Sequence, residues 1–206
     1  TGDTLAAAGF EKTLRLFDTT TGKVKQEIGG PCVDMRTIAF AHDGQTIAAA
    51  GRNGCIRVWD NAQGEVLSNR RDAHQRRIRA LEFSPDAKLL ASGSEDGRVR
   101  VWSVPQNEML LELNCRTAKV MSLVFVGPRK IATGGTDNDI RLWDLSTGDE
   151  TDRLYGHKGS VGALAYDPGR QRLASGSFDT TIRLWNLNPD RGDETVRTPL
   201  DDRYSR

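Results

Sequence analysis

Short segments in which hydrophobic and polar residues alternate follow one another along most of the chain. Around residues 78–113, "IRALEFSPDA" predicts a strand ending in a proline turn, "KLLASGSEDG" a second strand and tight turn, "RVRVWSV" a third strand, and "EMLLEL" a weaker fourth. Alternation with a period of two is typical of strands with one buried face, and Gly, Asp, Asn and Pro at the boundaries form turns. The pattern therefore predicts short antiparallel strands rather than helices.

The same pattern recurs five times. The segments "LRLFD", "IRVWD", "VRVWS", "IRLWD" and "IRLWN" align on Phe17, Trp59, Trp102, Trp143 and Trp185, at spacings of 42, 43, 41 and 42 residues. Four strands make one small twisted sheet, which cannot cover both of its faces alone, so such sheets must stack. A period of about 40 to 45 residues is that of a propeller blade.

Two of the repeats, "SPDAKLLASGSEDGRVRVW" and "GHKGSVGALAYDPGRQRLASGSFDTTIRLWN", resemble the WD-repeat β-propeller family, and the resemblance covers about residues 1–200. It implies an all-β propeller of four-stranded antiparallel blades, at about 1–30, 31–73, 74–114, 115–155 and 156–200, with a polar tail at 201–206. The first blade lacks its innermost strand, and "ETVRTPL" is expected to form the fourth strand of the last. We therefore expect five blades of a larger, about seven-bladed ring, with apolar faces on the end blades that favour self-association.

In this family a His, a Ser or Thr, an Asp and a Trp form one hydrogen-bonded chain within a blade. The resemblance assigns this role to His74, Ser92, Asp96 and Trp102 in the third period, and to His157, Ser175, Asp179 and Trp185 in the fifth. The fourth period keeps Thr133, Asp137 and Trp143 with Arg116 at the His position; the second has Pro31, Ala49, Asn53 and Trp59; the first has Ala7, Glu11 and Phe17. Buried polar groups need partners, so we expect these residues to be structural.

Ser, His and Asp are also the residues of a hydrolase triad, but the sequence argues against an enzyme. Each Ser stands inside a strand, no strand-to-helix G-x-S-x-G turn is present, and the set occurs twice as a repeat. Three His in separate periods and the lack of a Cys-x-x-Cys pair argue against a metal site, and no glycine-rich loop opens a helix for a phosphate. We expect neither catalysis nor a cofactor.

The loops that lead into the innermost strands are the usual docking face of the family. By register this face comprises Asp34, Arg36, Arg77, Arg79, Lys119, Met121, Ser160 and Gly162; "SNRRDAHQRRIRA" adds Arg70, Arg71 and Arg76, and Arg116 is expected on the neighbouring blade. Arginine pairs with carboxylate and phosphate in a bidentate way, which favours a docking patch for an acidic or phosphorylated protein or peptide. The alternative is an ordinary solvated charged loop.

Composition narrows the possible partners. With 29 Lys and Arg against 28 Asp and Glu, the net charge of +1 gives no overall attraction to nucleic acid or lipid, and no aromatic platform accompanies the basic residues. No apolar run is long enough to span a membrane, and the first residues do not form a signal peptide. An odd number of cysteines, Cys32, Cys55 and Cys115, argues against a disulfide framework and favours a reducing, cytoplasmic location.

Two functions from different classes are compatible with this sequence. The first is a non-catalytic scaffold or adaptor for protein–protein interaction, because the repeated residues are architectural and the variable loops are left for recognition. The second is the sensing or regulatory propeller of a larger, bacterial enzyme or signalling protein, because the chain begins in the middle of a repeat.

Overall fold

All regular elements in the described part of the chain are β-strands. The computed structural model describes residues 2–29, 34–115 and 118–188. The first sheet contains β1 (Thr4–Ala7), β2 (Thr13–Asp18) and β3 (Val24–Gly29), and the second β4 (Met35–Phe40), β5 (Thr46–Gly51), β6 (Ile56–Asp60) and β7 (Val66–Arg70). The third contains β8 (Ile78–Phe83), β9 (Leu89–Ser94), β10 (Arg98–Ser103) and β11 (Met109–Asn114). The fourth contains β12 (Val120–Gly127), β13 (Lys130–Gly135), β14 (Ile140–Asp144) and β15 (Glu150–Leu154), and the fifth β16 (Val161–Asp167), β17 (Arg172–Ser177) and β18 (Ile182–Asn186).

Within each sheet the strands pair antiparallel in chain order, as the alternating pattern predicts. The expected fold class is confirmed: the fold is all-β, and the five blade-like sheets of the described residues do not close into a ring. The first sheet has three strands, and the fifth has three in its described part. The predicted fourth strand of the fifth sheet, at 194–200, and the polar tail at 201–206 lie outside the described residues.

Successive sheets pack face to face, and each junction has its own apolar core. The innermost strands β4, β8, β12 and β16 lie side by side along one edge of the stack. Each of the four cores includes the tryptophan of the later sheet: Trp59, Trp102, Trp143 and Trp185. Burial of a large aromatic ring against the preceding sheet provides much of the hydrophobic free energy of stacking.

The two end sheets present apolar side chains that are buried elsewhere in the stack. Ile182 of β18 is 49% exposed, whereas Ile140, at the same position of the fourth sheet, is 0% exposed. Leu5 of β1 is 59% exposed, whereas its equivalent Ile47 is 0% exposed. The faces expected to be apolar are therefore uncovered at both ends of the described stack.

The sequence argued against disulfide bonding of the cysteines, and this expectation is wrong for one of them. Cys55 is disulfide-bonded, whereas Cys115 is a free, buried thiol. An odd number of cysteines excludes complete pairing only, and it leaves room for one bond and one free thiol. Cys32 lies outside the described residues.

Candidate functional site

The third and fifth sheets contain complete polar quartets. In the third, the His74 ring lies 2.8 Å from Ser92 Oγ through Nε2 and 3.0 Å from Asp96 Oδ2 through Nδ1, and Trp102 Nε1 donates to Ser92 Oγ at 3.0 Å. In the fifth, the corresponding distances among His157, Ser175, Asp179 and Trp185 are 2.7, 2.9 and 2.8 Å. Each quartet thus connects the loop before the innermost strand to the second and third strands of its sheet.

The aspartates of these quartets are held in the ionised form. Burial opposes ionisation of Asp96, but hydrogen bonds from His74 and from the backbone N–H groups of Gln75 and Arg98 outweigh it and lower the pKa to about 2. In the fifth sheet burial is likewise outweighed, by Thr181, Lys158 and His157, so the pKa of Asp179 also lies well below its usual value. Both carboxylates therefore act as acceptors that fix the turn and the loop around them.

The serines of the quartets cannot meet a substrate in this structure. Ser92 is 0% exposed and Ser175 is 1% exposed, and each oxygen already accepts a hydrogen bond from an indole. A catalytic nucleophile needs access to its substrate and a geometry set by its base. The Ser–His–Asp sets are therefore braced internal networks.

The fourth sheet has a different occupant at the His position from the one that sequence register predicts. The backbone N–H of Cys115 donates to Gly97 O at 2.9 Å, just as that of His74 donates to Gly54 O at 2.9 Å. The thiol hydrogen-bonds to Thr133, and Trp143 Nε1 donates to Thr133 Oγ1 at 2.9 Å. Burial raises the pKa of Cys115 to about 11, so the thiol stays protonated. Arg116, which the sequence assigned to this place, lies outside the described residues.

The aspartate of the fourth sheet pairs with an arginine instead of a histidine. Asp137 forms an ion pair with Arg141, whose side chain is 6% exposed and which also lies 3.6 Å from Glu150. A guanidinium therefore takes the carboxylate that a histidine takes in the third and fifth sheets.

The second sheet retains the tryptophan without its acceptor. Trp59 is 0% exposed, and its Nε1 has no hydrogen-bond partner within the described structure. Ala49 occupies the position of Ser92 on the second strand and is 0% exposed. This sheet is therefore held by apolar packing, as its degenerate sequence predicts, and its buried indole N–H is left without an acceptor.

Four of the predicted docking positions share a backbone feature. Arg36, Arg79, Met121 and Gly162 each occupy the extra residue of a bulge at the start of an innermost strand, where the pairing register shifts by one. A bulge leaves a residue outside the ladder and redirects its side chain. The innermost strands thus present one variable side chain each at the same level of the stack.

The arginines of this face have acidic partners. Arg79 Nε donates to Glu95 at 2.6 Å, and Arg77 lies 3.8 Å from the same carboxylate. Burial opposes ionisation of Glu95, but the hydrogen bond from Arg79 and the charges of Arg79, Arg77 and Lys119 lower its pKa. One carboxylate thus serves three cations, so the face remains electropositive although part of its charge is neutralised.

The other docking candidates lie around the same edge. Arg36 forms an ion pair with Asp34, and its guanidinium lies 4.4 Å from the centre of the Phe10 ring. Arg76 and Lys119 are exposed, and Ser160 is half-buried with its carbonyl accepting from the Phe178 N–H at 2.9 Å. The structure brings these residues to the edge of the sheets at which the innermost strands begin. Arg116 lies outside the described residues, so it is not assigned to this face.

A groove of about 570 Å³ continues this face onto the fifth sheet. It is lined by the bulge residues Arg79, Met121 and Gly162 and by Phe178 and Ile182 of the fifth sheet. Phe178 is 73% exposed. A cation therefore stands at the rim of a largely apolar surface.

Sequence reasoning missed the second serine of each complete set. Ser94 Oγ donates to Arg76 O at 3.3 Å and Ser177 Oγ to Gly159 O at 2.8 Å, and each accepts the backbone N–H of the quartet aspartate at 3.1 Å. The repeated "SGS" of the two segments was the available signal.

Stacked antiparallel sheets of three or four described strands, two of them braced internally by polar quartets, define a β-propeller type of repeat protein. A family model described as "WD domain, G-beta repeat" matches residues 22–60, 66–103, 107–144 and 148–186, and the chain belongs to this WD-repeat family. Each match combines the outermost strand of one sheet with the three inner strands of the next. WD-repeat domains generally serve as scaffolds for protein interaction.

A similar protein is the "Periodic tryptophan protein 2 homolog" of Dictyostelium discoideum. The two are 31% identical over an alignment of 154 residues, and the match covers 68% of this chain and 16% of the relative. The chain thus spans a small part of that relative's length.

Proposed function

We propose that this protein is a non-catalytic scaffold. Its partner docks on the edge of the sheets at which the innermost strands begin and where the four bulges lie. The observation that supports the proposal most directly is that the repeated residues and the variable residues occupy different places in the sheets. Repeated polar residues satisfy one another inside the sheets, whereas the bulge positions 36, 79, 121 and 162 carry different side chains at one level. Residues that make no ladder or core contact are free to vary for recognition.

The partner that fits this face is an acidic or phosphorylated protein segment. Arg77 and Arg79 share the single carboxylate of Glu95, and Lys119 acts on the same group, so two positive charges are left over. Arginine can offer a second edge of its guanidinium to a carboxylate or phosphate while it keeps its first partner. The neighbouring groove adds apolar area from Met121 and Phe178 for the flanking residues of such a segment.

Capture with the intact chain and with a paired variant tests this proposal. Proteins retained by the unmodified chain are identified by mass spectrometry, and their retention is compared with that of Arg77→Ala/Arg79→Ala. The control is Arg129→Ala/Arg170→Ala, which removes two arginines from the turns at the opposite end of the sheets. The proposal requires a loss of at least tenfold in the first variant and none in the control. Equal retention by all three chains would refute it.

Pretreatment of the captured partner with phosphatase separates the two chemistries. A phosphorylated ligand loses binding after treatment, whereas a segment rich in Asp or Glu keeps it. In both cases binding should weaken with salt, because charge supplies much of the attraction.

A second candidate is a sensing or regulatory propeller within a larger enzyme or signalling protein. The observation that favours it is the relative, of which the matched part is only 16%. The full reading frame decides between the two, since a catalytic domain on the same chain would support the second candidate.

We propose that the protein is cytoplasmic, and the free, buried thiol of Cys115 supports this proposal. The disulfide of Cys55 argues in the opposite direction. Among the described residues no helix is long and apolar enough to cross a membrane. Cell fractionation tests the location: recovery of the intact chain with cytosolic proteins supports it, and recovery from a membrane-enclosed compartment or from the medium contradicts it.

A further inference from the structure

In every sheet, the strand that carries the aromatic anchor also carries an arginine two residues before it. This arginine row consists of Arg15, Arg57, Arg100, Arg141 and Arg183. In the first sheet, Arg15 stands opposite Glu27 of the outermost strand, and its Nε donates to that carboxylate at 2.9 Å. In the third, Arg100 stands opposite Glu112 and donates to it at 2.7 Å. The row position therefore accommodates a carboxylate beside the guanidinium.

In the fourth sheet the arginine of the row also pairs with carboxylates, but these do not come from the residue opposite it. The residue opposite Arg141 is Arg153, but the carboxylates of Asp137 and Glu150 reach the guanidinium instead. Three members of the row thus have carboxylate partners although the residue opposite them differs. The strand that would face Arg183 falls outside the described residues.

Arg57 in the second sheet is the exception. The residue opposite it is Asn69, and no carboxylate of the described residues pairs with it. Its Nη1 donates to the Gly29 carbonyl at 3.0 Å, and its Nε is shielded from water without a partner. Burial and then the like charge of Arg71 lower the pKa of Arg57. Residues 30–33, which follow Gly29, contain no acidic side chain.

We propose that Arg57, at the rim between the first and second sheets, is an oxyanion site that takes a carboxylate from an acidic segment of a partner protein. The carboxylate occupies the place that Glu27 and Glu112 fill in the first and third sheets, against the guanidinium edge beside Asn69. Asn69 and Arg71 are exposed, so the amide can move aside and the second arginine can reach the same ligand. The partners that the chain itself supplies to this row are carboxylates, which is why a carboxylate is favoured over a phosphate.

This site is separate from the docking face of the proposed scaffold. Arg57 belongs to the outer half of the second sheet, whereas the bulge residues lie on the innermost strands. The Arg77 and Arg79 variants therefore test the docking face, and the variants below test the rim site alone.

The experiment follows the Nε–Hε resonance of each arginine in the full chain by two-dimensional ¹⁵N NMR. The probes are a hexaglutamate peptide and, separately, inorganic phosphate; the resonance of Arg57 is identified by its loss in Arg57→Lys. We expect hexaglutamate to shift the Arg57 resonance and to leave that of Arg100, which is paired with Glu112, unchanged. No shift of Arg57 with hexaglutamate overturns the proposal, and a shift with phosphate alone overturns the choice of a carboxylate.

Asn69→Glu supplies the missing carboxylate within the chain. It should weaken hexaglutamate binding at Arg57 by at least fivefold, whereas Gln45→Glu, with the same charge change in a turn of the same sheet, should leave it within twofold. Equal weakening in both variants would show a general charge effect and overturn the proposal. Glu112→Asn provides the converse test because it opens the same place in the third sheet: Arg100 should then respond to hexaglutamate, and an unresponsive Arg100 contradicts the proposed geometry.

Discussion

Replacing Ala49 by serine should stabilise the protein, because the change supplies an acceptor to a buried donor that has none. The indole Nε1 of Trp59 is unpaired, and both Trp59 and Ala49 are 0% exposed. Ser92, Thr133 and Ser175 occupy the same position in other sheets and accept the corresponding indole at 3.0, 2.9 and 2.8 Å. The backbone that holds an indole and a hydroxyl at hydrogen-bond distance is thus already present three times in this chain.

The magnitude follows from the cost of an unsatisfied buried group. Leaving a donor without a partner costs about 1 to 3 kcal/mol. The new hydroxyl must also donate its own hydrogen to an acceptor. In the third sheet Ser92 Oγ donates to the Arg100 carbonyl at 3.3 Å, and the Arg57 carbonyl is the equivalent acceptor for a serine at position 49. One added oxygen in a closely packed position offsets part of the gain. We expect a net stabilisation of about 1 kcal/mol, or a rise in Tm of about 2 to 4 °C for a chain of this size.

Urea unfolding monitored by tryptophan fluorescence and by circular dichroism measures this difference. The matched control is Ala48→Ser, on the same strand and also 0% exposed, but packed in the apolar core between the second and third sheets. That variant buries a hydroxyl among apolar groups and should lower the free energy of unfolding. If Ala49→Ser is no more stable than the wild type, or if it falls together with Ala48→Ser, the account of Trp59 is wrong.

Four further outcomes are expected. Ser92→Ala should lower the free energy of unfolding by about 1 kcal/mol or more in denaturant titrations, because it removes the partner of Trp102 Nε1 and of His74 Nε2; an unchanged stability would contradict a bracing role. Burial raises the pKa of Glu82 to about 7, so the folded chain binds its proton more tightly than the unfolded one and stability should fall as pH rises from about 4.5 through 7. Glu82→Gln should flatten that slope in thermal melts and raise Tm at pH 8; the same slope in both chains would exclude Glu82 as its source. Asp96 has its pKa lowered to about 2, so its contribution is complete above about pH 4 and is lost as pH falls toward 2; Asp96→Asn should reduce that acid slope, and an identical slope would count against it. The uncovered end faces predict concentration-dependent self-association by light scattering, which Ile182→Lys should reduce and Leu110→Lys, 57% exposed on an outermost strand, should not; a monomer at all concentrations would contradict the prediction.

The strands could be predicted from the sequence because the alternation, the turn residues and the spacing of the aromatic anchors agree with one another. The complete quartets were accessible for the same reason, since His74 and His157 both lie four residues before the first residue of an innermost strand. The fourth sheet breaks this spacing: Cys115 lies five residues before Val120. A loop that is longer by one residue shifts the register, so counting along the sequence selected Arg116 instead.

The electrostatics of the docking face could not be predicted from the sequence in the same way. Arginines at 76, 77 and 79 indicated a basic cluster, but Glu95, which lies 16 residues after Arg79, pairs with it through the geometry of the turn between the second and third strands. An ion pair of this kind depends on side-chain direction, and linear spacing carries no information about it. The disulfide of Cys55 escaped prediction for a similar reason, because pairing depends on distances in the folded chain.

The five sheets amount to a natural substitution series at fixed positions, and the series shows which contacts stacking requires. The tryptophan or its neighbours are buried at all four junctions, whether the indole has a complete quartet, a thiol and threonine, or no acceptor at all. Apolar burial is therefore sufficient to stack a sheet, and the polar quartet adds the fixed loop that leads into the innermost strand. Since that loop ends at the bulge, a sheet with a complete quartet holds its bulge residue in a better defined position than one without. Arg79, which follows the quartet histidine His74 by five residues, is accordingly the docking residue whose geometry the fold controls most closely, and Arg36, in the sheet that lacks the quartet, depends instead on Asp34 and Phe10.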